Sequence, residues 1–498
     1  MQRSSGLLMP VFSLPSKYGI GDFGKTGYEF IDFLKASGQK FWQILPLVQT
    51  GFGNSPYSSV SSRSFSPYYI SIEELFNQGL LTEDELQLSI YDGEYVSYGF
   101  LHSVRYPLLR KAFLRFNKQD KKFSSFVKKG IAKDYALFMS LKGLNQDKHF
   151  YEWEDKYKYR DEKALKEFEK QNKDEVLFWQ FVQFVASEQW NKLKKYANKK
   201  GVSIIGDMPL YVALDSVDVW VDPTLYKLDK KFTPKKVAGV PPDYFCADGQ
   251  LWGNPVYDYA KHKKQGYKWW CDRILNALSV FDYVRIDHFR GLDRYYEVKY
   301  GAQNAKEGEW KKVPSKALFS AIHKCVDKSR IIAEDLGIID DGVRALLKHV
   351  GYPGMKILSF AFNGEKDNLY LPERLPKNSV CYTGTHDNDT LLGLISSASD
   401  WDRGNLYNGV KNSLYQMDID FVVDCDNALL NAMIELGFAS NANLFILPMQ
   451  DILGMGSEWR INEPGTVKAQ NWSVKFKKEH FDMQTANRLK QLTKKYKR

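Results

Sequence analysis

Cysteine is scarce in this sequence. The five cysteines are Cys246, Cys271, Cys325, Cys381 and Cys425, an odd number with no Cys-x-x-Cys pair among them. Disulfide-stapled folds and structural zinc sites need cysteines that are paired or closely spaced. The pattern therefore argues against a disulfide framework and a zinc centre. It favours a reducing compartment, so we expect a cytoplasmic protein.

Long apolar runs are missing as well. The opening MQRSSGLLMP contains too short an apolar stretch for a signal peptide or a membrane span. No repeat, low-complexity tract or linker would free a separate terminal domain. We therefore expect no membrane partner and one large domain spanning residues 1–498.

Motifs for binding nucleic acid are also lacking, although the net charge is +10, from 70 Lys and Arg against 60 Asp and Glu. The lysines fall in mixed helical stretches such as KLKK at 192–195, which are typical of solvated helix faces. We therefore expect no nucleic-acid partner. Binding of that kind would produce steep, salt-dependent retention on DNA.

What the sequence does contain is a series of strand-like runs separated by helix-like segments. Repetition of this unit indicates a parallel sheet, and about eight units indicate a closed barrel. The predicted fold is α/β, a (β/α)₈ TIM barrel with inserted, largely helical subdomains. The predicted strands are 41–46, taken as the first, then 202–209, 283–287, 330–334, 356–360, 379–383 and 443–447, with a possible short strand at 68–72.

Two segments interrupt this alternation. Residues from about 73 to 195 are charge-rich with helical periodicity, which predicts an inserted helical subdomain between barrel strands. Residues from about 222 to 258 are rich in Pro, Gly and aromatic residues, and are too long for an ordinary loop between a strand and a helix. We expect this second segment to be functional.

Three carboxylates stand where short apolar runs end. Asp287 closes YVRID, Glu334 closes RIIAE, and Asp387 follows SVCYTGTH. In a (β/α)₈ barrel the carboxyl ends of the strands form the active-site face. Cleavage of a glycosidic bond needs one ionised and one protonated carboxyl group side by side. Asp335 and Asp389, which follow closely, are interpreted as helix caps and left out of the site.

The chain is also rich in aromatic residues, which make up 15% of it. Packing is the ordinary use of such rings. Their flat faces also stack well on sugar rings, so the excess is compatible with a groove that binds a glycan.

Taken together, these motifs resemble the α-amylase superfamily, whose signature of R-x-D, E and H-D is met by Arg285 with Asp287, Glu334, and His386 with Asp387. The chain resembles the amylomaltases, or 4-α-glucanotransferases (glycoside hydrolase family 77), more closely. That resemblance covers nearly the whole chain. It rests on GDMPLYV at 206–212, PPDYF at 241–245, DGQLWGNP at 248–255 and RINEPGT at 460–466.

The resemblance implies a role for each member of the signature. Asp287 is the nucleophile that forms a covalent β-glycosyl intermediate, and Arg285 keeps it ionised. Glu334 is the general acid and base, and must begin protonated at neutral pH. Asp387 stabilises the transition state, with His386 beside it as a partner for sugar hydroxyls.

Further binding residues follow from the same resemblance. Tyr57 is expected to stack on the donor sugar, and Asp207 and Trp252 to line the groove. The segment from Asp243 to Asn254, within the long loop at about 222–258, is expected to arch over the cleft. Asn462 and Pro464 are expected to belong to a binding loop late in the barrel.

The sequence departs from the wider superfamily at the third strand. Many α-amylases carry D-x-x-x-N-H there, with the Asn supporting a calcium ion, whereas this chain has DMPLYV at 207–212. A dense run of oxygen ligands of the EF-hand type is absent too. We expect no metal and no organic cofactor.

The predicted function is transfer of α-1,4-glucan segments between maltooligosaccharides or starch- or glycogen-derived glucans, with glucose able to act as acceptor. The alternatives are an α-1,4-glucan hydrolase and a catalytically silent glucan-binding or scaffold protein. Hydrolases carry the same acids, so the prediction of transfer depends on the amylomaltase-like segments.

Overall fold

A computed structural model describes residues 2–51, 53–242 and 247–498. The strands are β1 (Ser4–Leu8), β2 (Phe41–Gln43), β3 (Ser203–Met208), β4 (Lys236–Val240), β5 (Gln250–Pro255), β6 (Tyr283–Ile286), β7 (Arg294–Lys299), β8 (Gly308–Lys312), β9 (Ile331–Ala333), β10 (Gly354–Ile357), β11 (Ser379–Tyr382) and β12 (Leu444–Pro448).

The helices are α1 (Lys25–Ala36), α2 (Ile72–Asn77), α3 (Glu83–Gln87), α4 (Tyr98–Arg115), α5 (Lys121–Lys128), α6 (Lys133–Leu144), α7 (Asp155–Lys158), α8 (Glu162–Gln171), α9 (Lys173–Lys200), α10 (Val217–Val221), α11 (Tyr259–Lys264), α12 (Lys268–Val280), α13 (Ser315–Cys325), α14 (Asp341–Val350), α15 (Leu391–Ser397), α16 (Asp400–Gln416), α17 (Asp426–Ala439), α18 (Met449–Leu453) and α19 (Met483–Lys495). In the described part of the chain, none of them has both the length and the apolar character needed to cross a membrane.

The strands β1, β2, β3, β6, β9, β10, β11 and β12 form a closed barrel in the order β1-β12-β11-β10-β9-β6-β3-β2. Neighbouring barrel strands are parallel, and β1 closes the barrel by pairing with both β12 and β2. Their side chains are almost all buried, as expected of parallel strands covered on both faces. The predicted (β/α)₈ barrel is confirmed.

The first barrel strand was not predicted. β1 has the sequence SSGLL, whose serines and glycine have little strand preference, and it moves the predicted first strand at 41–46 to second place as β2. Gly6 allows this strand to fit, because a Cβ there would lie 2.4 Å from the Phe41 carbonyl oxygen. Close packing in the barrel therefore outweighs local preference.

Two other predicted strands are wrong in whole or in part. Residues 68–72 form a 3₁₀ turn at Pro67–Tyr69 and the start of α2, where the Ser71 hydroxyl accepts from the Glu74 N–H at 3.4 Å. Residues 356–360 contain only the end of β10, and Leu358–Phe360 form a 3₁₀ turn. In the first case the capping serine competes with extended structure.

The charge-rich block and the long segment differ in structure. Helices α2 to α9, which we call the helical block, lie between β2 and β3, and α9 packs against α6, α4, α5 and α1. The segment at about 222–258 includes β4 and β5, which join β7 and β8 in a second sheet of order β5-β4-β7-β8.

A buried histidine lies beside this second sheet. His262 on α11 contacts the rings of Tyr257, Trp269 and Trp270, with centroids 5.4 to 6.1 Å away. Burial among these rings lowers the pKa of His262 from 6.5 to about 4. In the folded protein His262 therefore stays neutral at pH values between about 4 and 6.5, where the same side chain is protonated in the unfolded chain.

We expect His262 to make the protein less stable as the pH falls from about 6.5 to 4. Since a tenfold change in proton affinity equals about 1.4 kcal/mol, the loss amounts to about 3 kcal/mol. His262→Phe should lose less stability over this range than the unsubstituted protein. Urea unfolding midpoints at intervals from pH 7.5 to 4.5 measure this, with pH 7.5 as the internal reference. If the midpoints of both proteins fall by the same amount between pH 7.5 and 4.5, His262 is not the cause of the acid destabilisation.

Candidate active site

The carboxyl ends of neighbouring barrel strands bring the predicted residues together. Asp207 lies in β3, while Asp287 and Glu334 directly follow β6 and β9. The barrel ladder continues through both acids, because the Asp287 N–H donates to Met208 O at 3.0 Å and the Glu334 N–H donates to Ile286 O at 3.0 Å. Regular backbone pairing thus fixes where these side chains begin.

Arg285 lies inside the barrel, with its side chain 4% exposed. Its Nη1 contacts Asp207 Oδ2 at 2.6 Å and Asp287 Oδ1 at 3.1 Å. The side chains of residues 285 and 287 point to the same face of the strand, so the contact follows from their spacing. Arg285 therefore places a permanent positive charge between two carboxylates.

Asp287 is ionised at neutral pH in this setting. Burial raises its pKa to about 6, Arg285 opposes the rise, and Asp207 and Asp387 reinforce it. A carboxylate with this pKa carries its charge above about pH 6. It is then available as a nucleophile or as a stabiliser of positive charge.

Glu334 is in the opposite protonation state. Burial raises its pKa to about 8, and the Asp287 carboxylate adds to the rise while Arg285 opposes it. Two backbone donors orient the carboxyl group: the His288 N–H at 2.5 Å from Oε2 and the Leu336 N–H at 3.1 Å from Oε1. Glu334 is therefore a fixed acid that holds its proton at neutral pH.

His288 was not predicted as part of the site. Its φ of 48° lies in the left-handed region, which a residue with a side chain adopts at a cost of about 1 kcal/mol or more. The turn directs its N–H to Glu334. Burial lowers the pKa of the His288 imidazole to about 3, so the ring is neutral. No sequence pattern identifies a histidine whose backbone adopts the left-handed conformation.

Asp387 is the most acidic of the three predicted acids. Its Oδ1 accepts from Asn462 Nδ2 at 2.6 Å, and its Oδ2 lies 3.3 Å from His386 Nε2. Burial opposes ionisation, but His386 and the Asn462 hydrogen bond outweigh it and lower the pKa of Asp387 to about 2. Arg460, which was not predicted as a site residue, donates to the Asp387 carbonyl at 2.7 Å and to the Asn462 carbonyl at 2.8 Å.

An aromatic group lies beside these acids. The Tyr57 hydroxyl donates to Asp207 Oδ2 at 2.5 Å, and its ring stacks on His386 with centroids 5.1 Å apart. Trp472 contacts both rings, at 5.8 Å from Tyr57 and 5.9 Å from His386. Trp472 lies more than 400 residues from Tyr57 in the sequence, so no local pattern could connect them.

The other predicted binding residues occupy different positions. The Trp252 ring meets the His288 ring edge-on, with centroids 4.8 Å apart. Asn462 is in contact with Asp387, and Pro464 is exposed on the same loop. Asp243 lies outside the described residues.

The two acids interpreted as helix caps have other roles. Asp335 accepts from the Met355 N–H at 2.6 Å and pairs with Lys356 at 3.2 Å, which ties the end of β9 to β10. Asp389 accepts from the Ser457 hydroxyl at 2.7 Å. The caps of α14 and α15 are Asp340 and Thr390, so the cap interpretation is wrong.

A buried carboxylate that was not predicted supports the segment that carries His386 and Asp387. Asp451 accepts from the Thr383 hydroxyl at 2.5 Å and from the Leu391 N–H at 2.8 Å, so it holds both ends of the segment 383–391. Within residues 2–51, 53–242 and 247–498, no group of three or more His, Cys, Asp or Glu side chains could hold a metal ion.

The whole chain is similar to known proteins. A family model described as 4-alpha-glucanotransferase matches residues 9–481. The 4-alpha-glucanotransferase of Clostridium butyricum is 41% identical over 98% of this chain and 99% of its own length. That of Thermus thermophilus is 39% identical over 95% of this chain and 94% of its own length. The structure of an amylomaltase from Streptococcus agalactiae in complex with acarbose superposes with a TM-score of 0.94 and 36% identity, covering 100% of both chains.

Proposed function

The chain belongs to the 4-alpha-glucanotransferase family and is an enzyme of that activity, and we propose that it works through a covalent β-glycosyl intermediate on Asp287. In this proposal the enzyme moves an α-1,4-glucan segment from a donor maltooligosaccharide or glucan to the 4-hydroxyl of an acceptor. Both steps invert the anomeric carbon, so the product retains the α configuration.

One arrangement carries the proposal: two neighbouring buried carboxyl groups have settings that favour opposite protonation states at neutral pH, with Arg285 in contact with Asp287 and two backbone N–H groups holding Glu334. The pKa of Asp287 is raised to about 6 and that of Glu334 to about 8, so one is an anion while the other holds a proton. This is the combination that a double displacement needs at its start.

In the first step, Asp287 Oδ attacks the anomeric carbon as the glycosidic bond breaks. Glu334 gives its proton to the departing glycosidic oxygen, so the shortened glucan leaves as an alcohol. Glu334 is then an anion. In the second step it takes the proton from the acceptor 4-hydroxyl, whose oxygen attacks the anomeric carbon and releases Asp287.

Asp387 supplies negative charge in both steps. With a pKa of about 2 it stays ionised, and it can bind sugar hydroxyls and favour the distorted ring of the oxocarbenium-like transition state. Asn462 and His386 hold the carboxylate in place. Arg285 offsets part of the negative charge that gathers at the site.

The remaining residues are assigned to substrate binding. Tyr57 belongs to the donor side and Asp207 lines the groove, and the hydrogen bond between them fixes the tyrosine ring. Trp252 and the segment from Asp243 to Asn254 belong to the covering loop, and Pro464 to the late binding loop. The acarbose bound by the S. agalactiae amylomaltase supports an oligosaccharide ligand, and we extend this to maltooligosaccharides, glucans and a glucose acceptor.

A product profile from maltotriose tests the proposed function. We expect oligosaccharides longer than maltotriose, release of glucose and no net gain in reducing ends, because every bond broken is replaced by a new one. Asp287→Asn, incubated in parallel, should give none of these products. Shorter sugars with rising reducing ends would indicate a hydrolase, and no products from the unsubstituted enzyme would indicate a silent glucan-binding protein.

A further inference from the structure

We propose that Gln183, on helix α9 of the inserted helical block, is a positioning residue that holds the Tyr57 hydroxyl against Asp207. The inference rests on the proposed function, because its effect is measured on the glucan transfer reaction. It gives the helical block a role in catalysis through contacts that lie outside the substrate cleft.

The Gln183 side chain is hydrogen-bonded to the backbone of Phe65. Gln183 is 4% exposed, its Oε1 accepts from the Phe65 N–H at 2.8 Å, and its Nε2 donates to the Phe65 carbonyl at 2.9 Å. Phe65 in turn forms an antiparallel bridge with Val48. Both polar atoms of the side-chain amide are therefore used to fix the backbone of one residue.

Phe65 ends the segment that carries Tyr57, which we call the Tyr57 loop (residues 49–51 and 53–65). The other end, Gln49, is held by the same helical block: the Tyr135 hydroxyl of α6 donates to Gln49 Oε1, and Gln49 Nε2 donates to the Tyr106 hydroxyl of α4 at 3.3 Å. The Tyr135 hydroxyl also interacts with Gln183. One buried cluster thus fixes both ends of the loop.

Backbone hydrogen bonds within the loop connect its two fixed ends to Tyr57. Thr50 forms an antiparallel bridge with Ser59, and the Gly51 N–H donates to the Ser58 carbonyl at 2.9 Å. The Val60 N–H donates to the Gln49 carbonyl at 3.2 Å. The loop is therefore a paired structure closed at its base, with Tyr57 in its distal turn.

From Tyr57 a short chain of polar contacts leads to the proposed nucleophile. The hydroxyl donates to Asp207 Oδ2 at 2.5 Å, the same oxygen that contacts Arg285 Nη1 at 2.6 Å. Arg285 Nη1 lies 3.1 Å from Asp287 Oδ1. Donation by Tyr57 offsets part of the Asp207 charge, so its loss would strengthen the negative field at Asp287 and raise the pKa of that group.

None of the other charged and titratable groups around Asp287 is substituted in such an experiment. They come from its own strand and three others at the barrel mouth: Arg285 on β6, Asp207 on β3, Glu334 after β9, and His386 and Asp387 after β11. The Tyr57 loop supplies the contact with Asp207 and also the ring that stacks on His386, which lowers the pKa of Asp287. Loss of either contact raises the pKa of Asp287, so both give the same direction of pH shift.

The chain offers a matched control on the same helix. Gln189 is 3% exposed, and its amide contacts one residue in the same way: Oε1 accepts from the Ser71 N–H at 2.7 Å and Nε2 donates to the Ser71 carbonyl at 3.1 Å. Ser71 caps α2 and lies beyond the Tyr57 loop. Gln183→Leu and Gln189→Leu therefore remove the same kind of buried clamp, but only one of them acts on Tyr57.

The experiment measures kcat/KM for transfer from maltotriose against pH in both variants, together with their thermal unfolding midpoints. We expect both variants to lose thermal stability, since Gln183→Leu leaves the Phe65 N–H and C=O unsatisfied and Gln189→Leu leaves the Ser71 N–H unsatisfied. The Ser71 C=O still accepts from the Leu75 N–H at 3.4 Å, so the loss in Gln189→Leu should be the smaller one. Only Gln183→Leu should lower kcat/KM, on the order of tenfold, because a small displacement of a positioned group is costly. It should also move the acid limb of the profile to higher pH.

Three further variants make the result specific. Tyr57→Phe should move the acid limb in the same direction, and adding Gln183→Leu to it should move that limb no further. If Gln183→Leu does not fold, Tyr135→Phe keeps the ring and removes only the hydroxyl that contacts Gln49. It should then produce a smaller shift of the same sign.

The inference is overturned if Gln183→Leu and Gln189→Leu have the same pH profile, or if Tyr135→Phe leaves the acid limb unchanged. Failure of the proposed function gives a different result, because the unsubstituted enzyme would then form no oligosaccharides longer than maltotriose.

Discussion

Asp287→Asn will lower kcat for transfer by about 10⁴-fold or more, since removal of the proposed nucleophile eliminates the step on which the proposed covalent route depends. The amide cannot attack the anomeric carbon, and it also removes one of the two carboxylates in contact with Arg285. Initial rates of glucose release from maltotriose measure the loss. The variant should fold, because the asparagine occupies nearly the same volume.

Asp389→Asn is the matched control for this prediction. It makes the same chemical change two residues beyond Asp387, at a side chain that accepts from the Ser457 hydroxyl at 2.7 Å and touches none of the three proposed catalytic acids. We expect its kcat to stay within about tenfold of the unsubstituted enzyme. Retention of more than about 1% of activity in Asp287→Asn would refute the assignment of the nucleophile.

Glu334→Gln will lower kcat on maltotriose by about 10²- to 10⁴-fold, the usual contribution of a general acid and base. In the proposed mechanism, activity requires Asp287 to be ionised and Glu334 to be protonated. With pKa values of about 6 and about 8, the activity rises through pH 6 and falls through pH 8. The two groups titrate as a pair, so the limbs report the pair. The variant should lose the alkaline limb.

A substrate with a good leaving group separates the two jobs of Glu334. Fluoride leaves α-maltosyl fluoride without help from an acid, so the first step should recover in Glu334→Gln, while the second step still lacks its base. The glycosyl-enzyme should then accumulate, and intact-mass measurement should detect one added maltosyl group on the protein. Absence of this species, together with an unchanged alkaline limb, would mean that Glu334 is not the acid and base.

The backbone pattern explains why the acids could be identified from the sequence. Apolar runs that end in Asp287 and Glu334 are local features, and in a parallel barrel every such end meets the same face. The contact between Arg285 and Asp287 is local too, because residues two apart on a strand point to the same side. These inferences needed no knowledge of distant contacts.

Other parts of the molecule depend on contacts between residues far apart in sequence. β1 is a strand because β2 and β12 pair with it, although its serines and glycine do not favour that conformation. The Glu334 carboxyl group is oriented by the backbone of His288, which follows a different strand. Propensity and spacing carry no information about such pairs.

The sequence by itself therefore determined the fold class, the order of the acids along the barrel and the family to which the chain belongs. These follow from periodicity, strand ends and short motifs, in which each residue is informative next to its neighbours. The tertiary structure decided which of the acids is protonated at neutral pH. Burial and the mutual field of Asp287, Glu334 and Arg285 set their pKa values, and these exist only after folding. The tertiary structure also decided what holds Tyr57 in place, through the contact between Gln183 and Phe65, which are 118 residues apart.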